Sequence, residues 1–387
     1  MEPEQFKRVQ TLAVFIGIAG TVALVIGGIA SPQRFLQAYL FGYIAWLSIP
    51  LGCLGLLMLH HMVSGRWGYV IQRIFEAGAL TLPLMAILFL PILASASKVY
   101  PWVADGVHDA GTHEHTWSSY LNLPFFTVRY FVYFGLWSGA AYLLSLWSRR
   151  QDETRDPRYT RKLRLLSAPG LLVFVLLVTF ASVDWVMSLE PGWSSTIYGF
   201  VFVVGEALAA LSFAVIVVWM VSAQSPMSEV LTTKHIHFLG NLLLTCVILW
   251  AYMAYSQWII IWSGNLPDEN SWYLHRLAPG WNGIALGLII LHFFAPFFLL
   301  LGRRVKHSLK FLSAIAGGLL LMRLVDVYWL VMPAFHPSGL EISWLDVVAP
   351  FALGGIWISA FVALLKRRSI VPAYDPRFVE TAGATEH

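Results

Sequence analysis

The chain has 387 residues, of which 58% are hydrophobic and only 12% charged, against roughly a quarter charged in an ordinary soluble domain; a water-soluble core of this length is excluded. Its two cysteines, Cys53 and Cys246, both lie in apolar runs, so no disulfide framework, zinc ribbon, cysteine-rich iron–sulfur motif or C-x-x-C-H haem attachment is available, and any redox metal belongs to a partner. The net charge of +4 does not mark a nucleic-acid partner, because the basic residues sit in short segments between hydrophobic runs, which is a topology signal.

About 20 apolar residues are needed to cross the hydrocarbon of a bilayer. On that measure the predicted spans lie near 11–30, 35–62, 74–95, 124–148, 165–188, 196–222, 237–262, 280–301, 309–332 and 345–365. The expectation is therefore an all-α polytopic protein of about ten transmembrane helices, a single integral membrane domain over 1–387 whose last segment, 366–387, is a cytoplasmic tail. The first run follows Lys7 and Arg8 but ends at Ser31-Pro32-Gln33-Arg34 without a small-x-small cleavage site, so it is read as a retained helix and not as a secretory signal.

Charge tests the count. With the N-terminus inside, the inner segments hold 20 of the 25 basic residues, including Arg66, Arg73, the seven between Arg149 and Arg164, Lys234, Arg303 to Lys310 and Lys366 to Arg377. The outer side keeps Arg34, Lys98 and Arg276, while Arg129 and Arg323 fall within spans. Cytoplasmic segments are enriched in Lys and Arg, so both termini are expected inside. The outer connections are acidic or neutral and rich in Trp, Pro and His; the longest, 99–122, carries His108, His113 and His115. Trp102, Trp117, Trp193, Trp262, Trp272, Trp281 and Trp344 gather there, as aromatic rings do at an interface. Pro191-Gly192-Trp193 and Pro279-Gly280-Trp281 both open a span, a similarity too short to define a repeat.

Ionisable side chains within a span cost several kcal/mol unless paired, hydrated or buried between helices, which makes each a functional candidate. They fall into layers. His60 and His61 close the second span and Glu76 opens the third, on the inner side; Glu206 and His292 lie near the middle; Arg129, Asp184, Arg323, Asp326 and Asp346 lie towards the outer side. Arg323 and Asp326, three apart, share a helix face and are candidates for an ion pair, and Arg129 is a candidate partner for Asp184. Glu206 has no basic residue at its depth on this reading; it is either a neutral hydrogen-bonded acid or a group that exchanges protons. His60 and His61 read equally well as interfacial residues facing headgroups. His292 is the one deep histidine, so a bis-histidine haem is not expected. Span seven adds a polar stripe, Asn241, Thr245, Tyr252, Tyr255, Ser256 and Gln257, suited to helix contacts or to holding water.

Three segments carry a family resemblance: SVDWVMSLEPGWSSTIYG from Ser182 to Gly199, YSQWIIIWSGNLP from Tyr255 to Pro267, and MRLVDVYWLVMP from Met322 to Pro333. They resemble the NrfD-like (polysulfide-reductase membrane subunit) superfamily, and within it the F subunits (ActF) of alternative complex III, a bacterial quinol:cytochrome c oxidoreductase. Asp184-Trp185 favours the F type over the homologous C type. The resemblance, over roughly 35–365, implies NrfD-like helix bundles in the bacterial inner membrane. It implies partners: the homologous NrfD-like C-type protein, an iron–sulfur subunit, multihaem cytochrome c subunits and small membrane subunits, with lipids around them. It places haem c and iron–sulfur clusters in those partners, with no intrinsic cofactor or metal in this chain and menaquinol or another quinol in the complex. Quinol oxidation is assigned in the family to the C type, and a transmembrane proton path and scaffold to the F type, so this chain is expected to be non-catalytic. On that carry-over Asp184, Glu206, Arg323 and Asp326 are relay residues, with Arg129 and Tyr255 beside them and His60, His61 and Glu76 at the inner entrance. The alternatives are a chain that itself oxidises quinol with Asp184 as base, and, further off, a secondary transporter.

Overall fold

The structure is a computed structural model that describes residues 4–104 and 119–374. The segment carrying His108, His113, His115 and Trp117 and the tail position Arg377 lie outside the described residues. Among the described residues there are helices and no strands, the arrangement in which a chain satisfies its backbone N–H and C=O groups within lipid. Nine of these helical segments are long and apolar enough to cross a membrane.

The helices that position polar groups are α1 (Glu4–Ala30), α2 (Pro32–Val63), the short α3 (Arg66–Tyr69), α4 (Gln72–Ala79), α5 (Leu82–Ala94), α6 (Leu123–Thr154), α7 (Arg158–Trp185), α8 (Tyr198–Val221), α9 (Thr233–Gly264), α10 (Pro267–Leu277), α11 (Trp281–Leu301), α12 (Leu309–Val331) and α13 (Trp344–Leu365). α2 is the central post, buried over most of its length where α1 is mostly exposed; α8, α13, α7 and α4 pack around it. Large apolar side chains such as Phe15, Ile29, Leu172, Leu321 and Phe351 point outward instead of inward, an outer surface that water would not tolerate and lipid does.

Four local features follow from the residues. The span predicted over 74–95 is interrupted: α4 ends at Ala79 and α5 begins at Leu82. Pro83 has no N–H for the carbonyl of Ala79 and its ring crowds that carbonyl; the Thr81 hydroxyl closes the break by donating to the Gly78 carbonyl (2.6 Å) and accepting from Trp357 Nε1 (2.8 Å). α11 widens into a π-helical turn over Leu288–Phe294, because Pro296 supplies no N–H to the His292 carbonyl four residues back. α6 opens on an Asn122 cap that accepts from the Phe125 N–H (2.9 Å) and runs 32 residues; it is less apolar than its neighbours but as long. The two Pro-Gly-Trp motifs take the same backbone turn, with φ +87° at Gly192 and +86° at Gly280, a left-handed state that glycine enters without steric penalty.

Candidate functional site

The buried polar residues form three tiers. At one end, α6 brings Arg129 to Asp184 of α7: Arg129 Nε and Nη2 donate to the two carboxylate oxygens at 2.7 and 2.8 Å, and the Tyr133 hydroxyl adds a third bond at 2.7 Å. Arg129 Nη1 donates to the Tyr120 carbonyl (2.8 Å), and the guanidinium lies over the Tyr120 ring, 3.9 Å from its centroid. Bidentate guanidinium–carboxylate geometry is the strongest pairing available to these groups, and Asp184 is fully buried within it.

At the other end of α6, Ser148 and Asp152 meet α4. Glu76 accepts four hydrogen bonds: from Gln72 Nε2 (2.9 Å), Ser148 Oγ (2.6 Å), Arg73 Nη1 (2.6 Å) and Arg368 Nη1 (3.3 Å). Arg73 also pairs with Asp152. Burial pushes the Asp152 carboxyl above its usual range while the Arg73 charge pulls it back, and burial lowers Arg368 against the opposing pull of Glu76. Arg129 and Ser148 are 19 positions apart on α6, about 28 Å along a helix, so this helix alone joins the two end tiers across about the thickness of a hydrocarbon core.

The middle tier is built differently. Arg323 and Asp326, on one face of α12, pair at 2.5 Å, and Asp326 also accepts from Trp250 Nε1 of α9 at 3.1 Å. Trp250 stands edge-on against His292 in the π turn of α11, centroids 4.2 Å apart. The Arg323 guanidinium lies against the α8 backbone at Gly205, where an added Cβ would come within 2.3 Å of its Cζ. The neighbouring Glu206 therefore does share its depth with a basic residue, contrary to the sequence expectation, and its carboxyl interacts electrostatically with Arg323. Glu206 also lines a cavity of about 10 Å³ with Ser182, Trp185 and Phe202, close to the least space that holds one water. Among the described residues, Glu206 Oε2, both ring nitrogens of His292, and Arg323 Nε and Nη2 have no hydrogen-bond partner. All three side chains are buried.

Two further expectations are corrected. His60 and His61 do not face headgroups: they are 0% and 2% exposed, and the His60 ring stands edge-on to Trp67 (5.4 Å) against the backbone of Gly68, because the chain after α2 folds back over its last turn. The polar stripe of span seven does not line the interior as a unit: Gln257 is buried and Asn241 makes a helix contact, whereas the two tyrosines face outward. Tyr252 and Tyr255 are 61% and 59% exposed on the outward face of α9, Asn241 accepts from Lys306 Nζ (2.8 Å), and Gln257 accepts from the Ser195 hydroxyl (3.3 Å). Tyr255 is thus not brought to the other candidates.

Sequence reading missed Tyr133 and Trp250, whose polar tips finish the carboxylate shells, and Ser148, Asp152 and Arg368. It also missed Arg276 as an interior residue: α10 folds inward so that Arg276 bonds Glu190 (2.7 Å) and the Leu330 carbonyl (2.7 Å) and stacks on Trp272 (3.5 Å). An arginine followed by Pro-Gly-Trp within an aromatic segment was the available signal. Asp346 caps α13, accepting from the Ser343 N–H at 2.8 Å and from the Tyr328 hydroxyl at 3.2 Å. Among the described residues no three His, Cys, Asp or Glu side chains gather as a metal site. Neither the protein-family models nor the curated proteins contain a match to this chain.

Proposed function

We propose that this chain is the F-type membrane subunit of a bacterial quinol:electron-acceptor oxidoreductase of the alternative complex III kind, crossing the inner membrane ten times with both termini inside. In this reading α6 is the tenth crossing, supported by its length between the two end tiers, and the Glu76 end faces the cytoplasm, supported by the basic segments on that side. The chain scaffolds the quinol-oxidising subunit and carries protons, while electrons stay in haem c and iron–sulfur partners.

The observation that carries the proton role is the unsatisfied middle tier. A buried polar atom without a partner costs roughly 1–3 kcal/mol, and native proteins keep few of them. Glu206, Arg323 and His292 together hold five such atoms. A carboxyl with a free oxygen beside a water-sized cavity takes up and releases a proton without first breaking an ion pair. A neutral imidazole with both nitrogens free accepts at one and donates at the other. Arg323 lies against the helix turn of Glu206, its charge bears on His292 as well, and Asp326 anchors it. Asp184 holds its end electrostatically, since its oxygens are already filled, and Glu76, one of whose four donors comes from the segment after α13, is the inner mouth of the path. That filling also counts against Asp184 as a base in quinol oxidation, and the Glu206 cavity is far smaller than a quinol ring.

The test is Glu206→Gln and His292→Leu in the intact complex reconstituted into vesicles. Proton translocation is expected to fall by about a hundredfold, the low end of what a positioned proton-transfer group contributes, with electron transfer little changed. An unaltered proton-to-electron ratio in both variants defeats the relay.

A further inference from the structure

Residues 366–374, which follow α13, are neither helix nor free tail. The segment turns back and lies across the Glu76 end of the bundle. Val371 and Pro372 are buried, the Tyr69 hydroxyl of α3 donates to the Pro372 carbonyl (3.1 Å), and the backbone N–H groups of Ala373 and Tyr374 both donate to Asp152 Oδ1 (3.2 and 3.3 Å). On the way, Arg368 reaches inward to Glu76 (3.3 Å) and to the Ser145 carbonyl (3.2 Å). Beneath it lies a cavity of about 20 Å³ lined by Arg73, Glu76, Ala77, Ser145, Arg368 and Ser369, enough for one water. Glu76 thus borders a water-sized chamber to whose wall the segment contributes Arg368 and Ser369.

We propose that residues 366–374 are a strap that gates this chamber, with Arg368 as the bolt on Glu76. This rests on Glu76 being the inner mouth of the path proposed above. The strap's attachments are of a kind that opens: one tyrosine hydroxyl bond, two backbone bonds to a single carboxylate oxygen, the side-chain bonds of Lys366 and Arg368, and the buried Val371 and Pro372, against the continuous helix ladders of the elements it covers. Segments held by few buried apolar contacts and solvent-facing backbone bonds open at the low end of a protein's local stabilities. When the strap lifts, Arg368 leaves with it. Glu76 then loses one of its two cationic partners and gains access to bulk water in the same movement.

The test reads access to the chamber, not proton flow. Ser145→Cys in the full-length chain, in membrane fragments open on both sides, places a thiol on the chamber wall; among the described residues the Ser145 hydroxyl has no hydrogen-bond partner, and the native Cys53 and Cys246 are buried. Val371→Asp puts a charge where a valine is buried and unseats the strap without touching Glu76, Arg73 or Asp152; the rate of reaction with a charged methanethiosulfonate is expected to rise at least about tenfold. Tyr69→Phe, which removes one hydrogen bond, gives a rise of about threefold to tenfold. Hydrogen exchange on the unaltered chain guards against a misfolded variant: the Ala373 and Tyr374 amides are expected to exchange more slowly than free peptide and faster than the interior of α13. Labelling unchanged by Val371→Asp, or amides at either extreme, overturns the strap. Faster labelling with proton uptake unaltered keeps the strap and removes the path.

Discussion

The two ends of the bundle and its middle bury the same kinds of side chain and treat them in opposite ways. At the Asp184 end one carboxylate takes two guanidinium bonds and a phenol; at the Glu76 end one carboxylate takes four donors. In the middle, Glu206 keeps an oxygen without a partner, and His292 both nitrogens, among the described residues. A charge buried with full partners is a structural joint, because breaking it strands the other half. A polar group buried without partners costs stability and has no ion pair to break before it exchanges a proton. On the function proposed above, that difference gives the Asp184 end to assembly and the middle to proton exchange.

That contrast is open to breakage. The largest loss is expected for Asp184→Asn, which leaves Arg129 buried and unpaired at a cost of about 3–5 kcal/mol; accumulation in the membrane and the unfolding midpoint in detergent should both drop, and Arg129→Met with Asp184→Leu should restore most of it. Glu76→Gln should cost less, about 2–3 kcal/mol, because Arg73 keeps Asp152, and the same unfolding measurement ranks it second. For Glu206→Gln the expected change is under about 1 kcal/mol, since no made bond is lost at Oε2; a midpoint shift as large as that of Asp184→Asn would erase the distinction between ends and middle. The smallest effect belongs to the exposed pair of Arg34 and Glu341. Arg34 holds the Glu341 carboxyl below its usual range, so its contribution is present above the unfolded value near 4.3 and fades as the pH falls through the lower folded value. Glu341→Gln should flatten only that acid stretch of the stability curve, leaving the neutral midpoint where it was.

Two of the joints were legible beforehand. Arg323 and Asp326 are three apart on a helix, and helical geometry puts such residues side by side whatever surrounds them. Arg129 and Asp184 were matched by depth, since a charge within a span has few partners at its own level. Glu206 with Arg323 was not legible: the two are 117 positions apart in the chain, and depth counted from span ends assigned Arg323 to the outer side. The buried state of His60 and His61 escaped for a related reason. Their position at a helix end suggested an interface, and only the fold-back of Trp67 and Gly68 covers them.

What the sequence determined unaided is the solvent and the class: runs of about 20 apolar residues and scarce charge commit the chain to helices in lipid, because length and hydropathy are properties of each segment alone. The tertiary structure decided which acid is sealed and which is left open. That depends on how each helix is rotated about its axis and which helix stands beside it, and those choices are made by packing among all the helices at once, so the residues of one helix do not contain them.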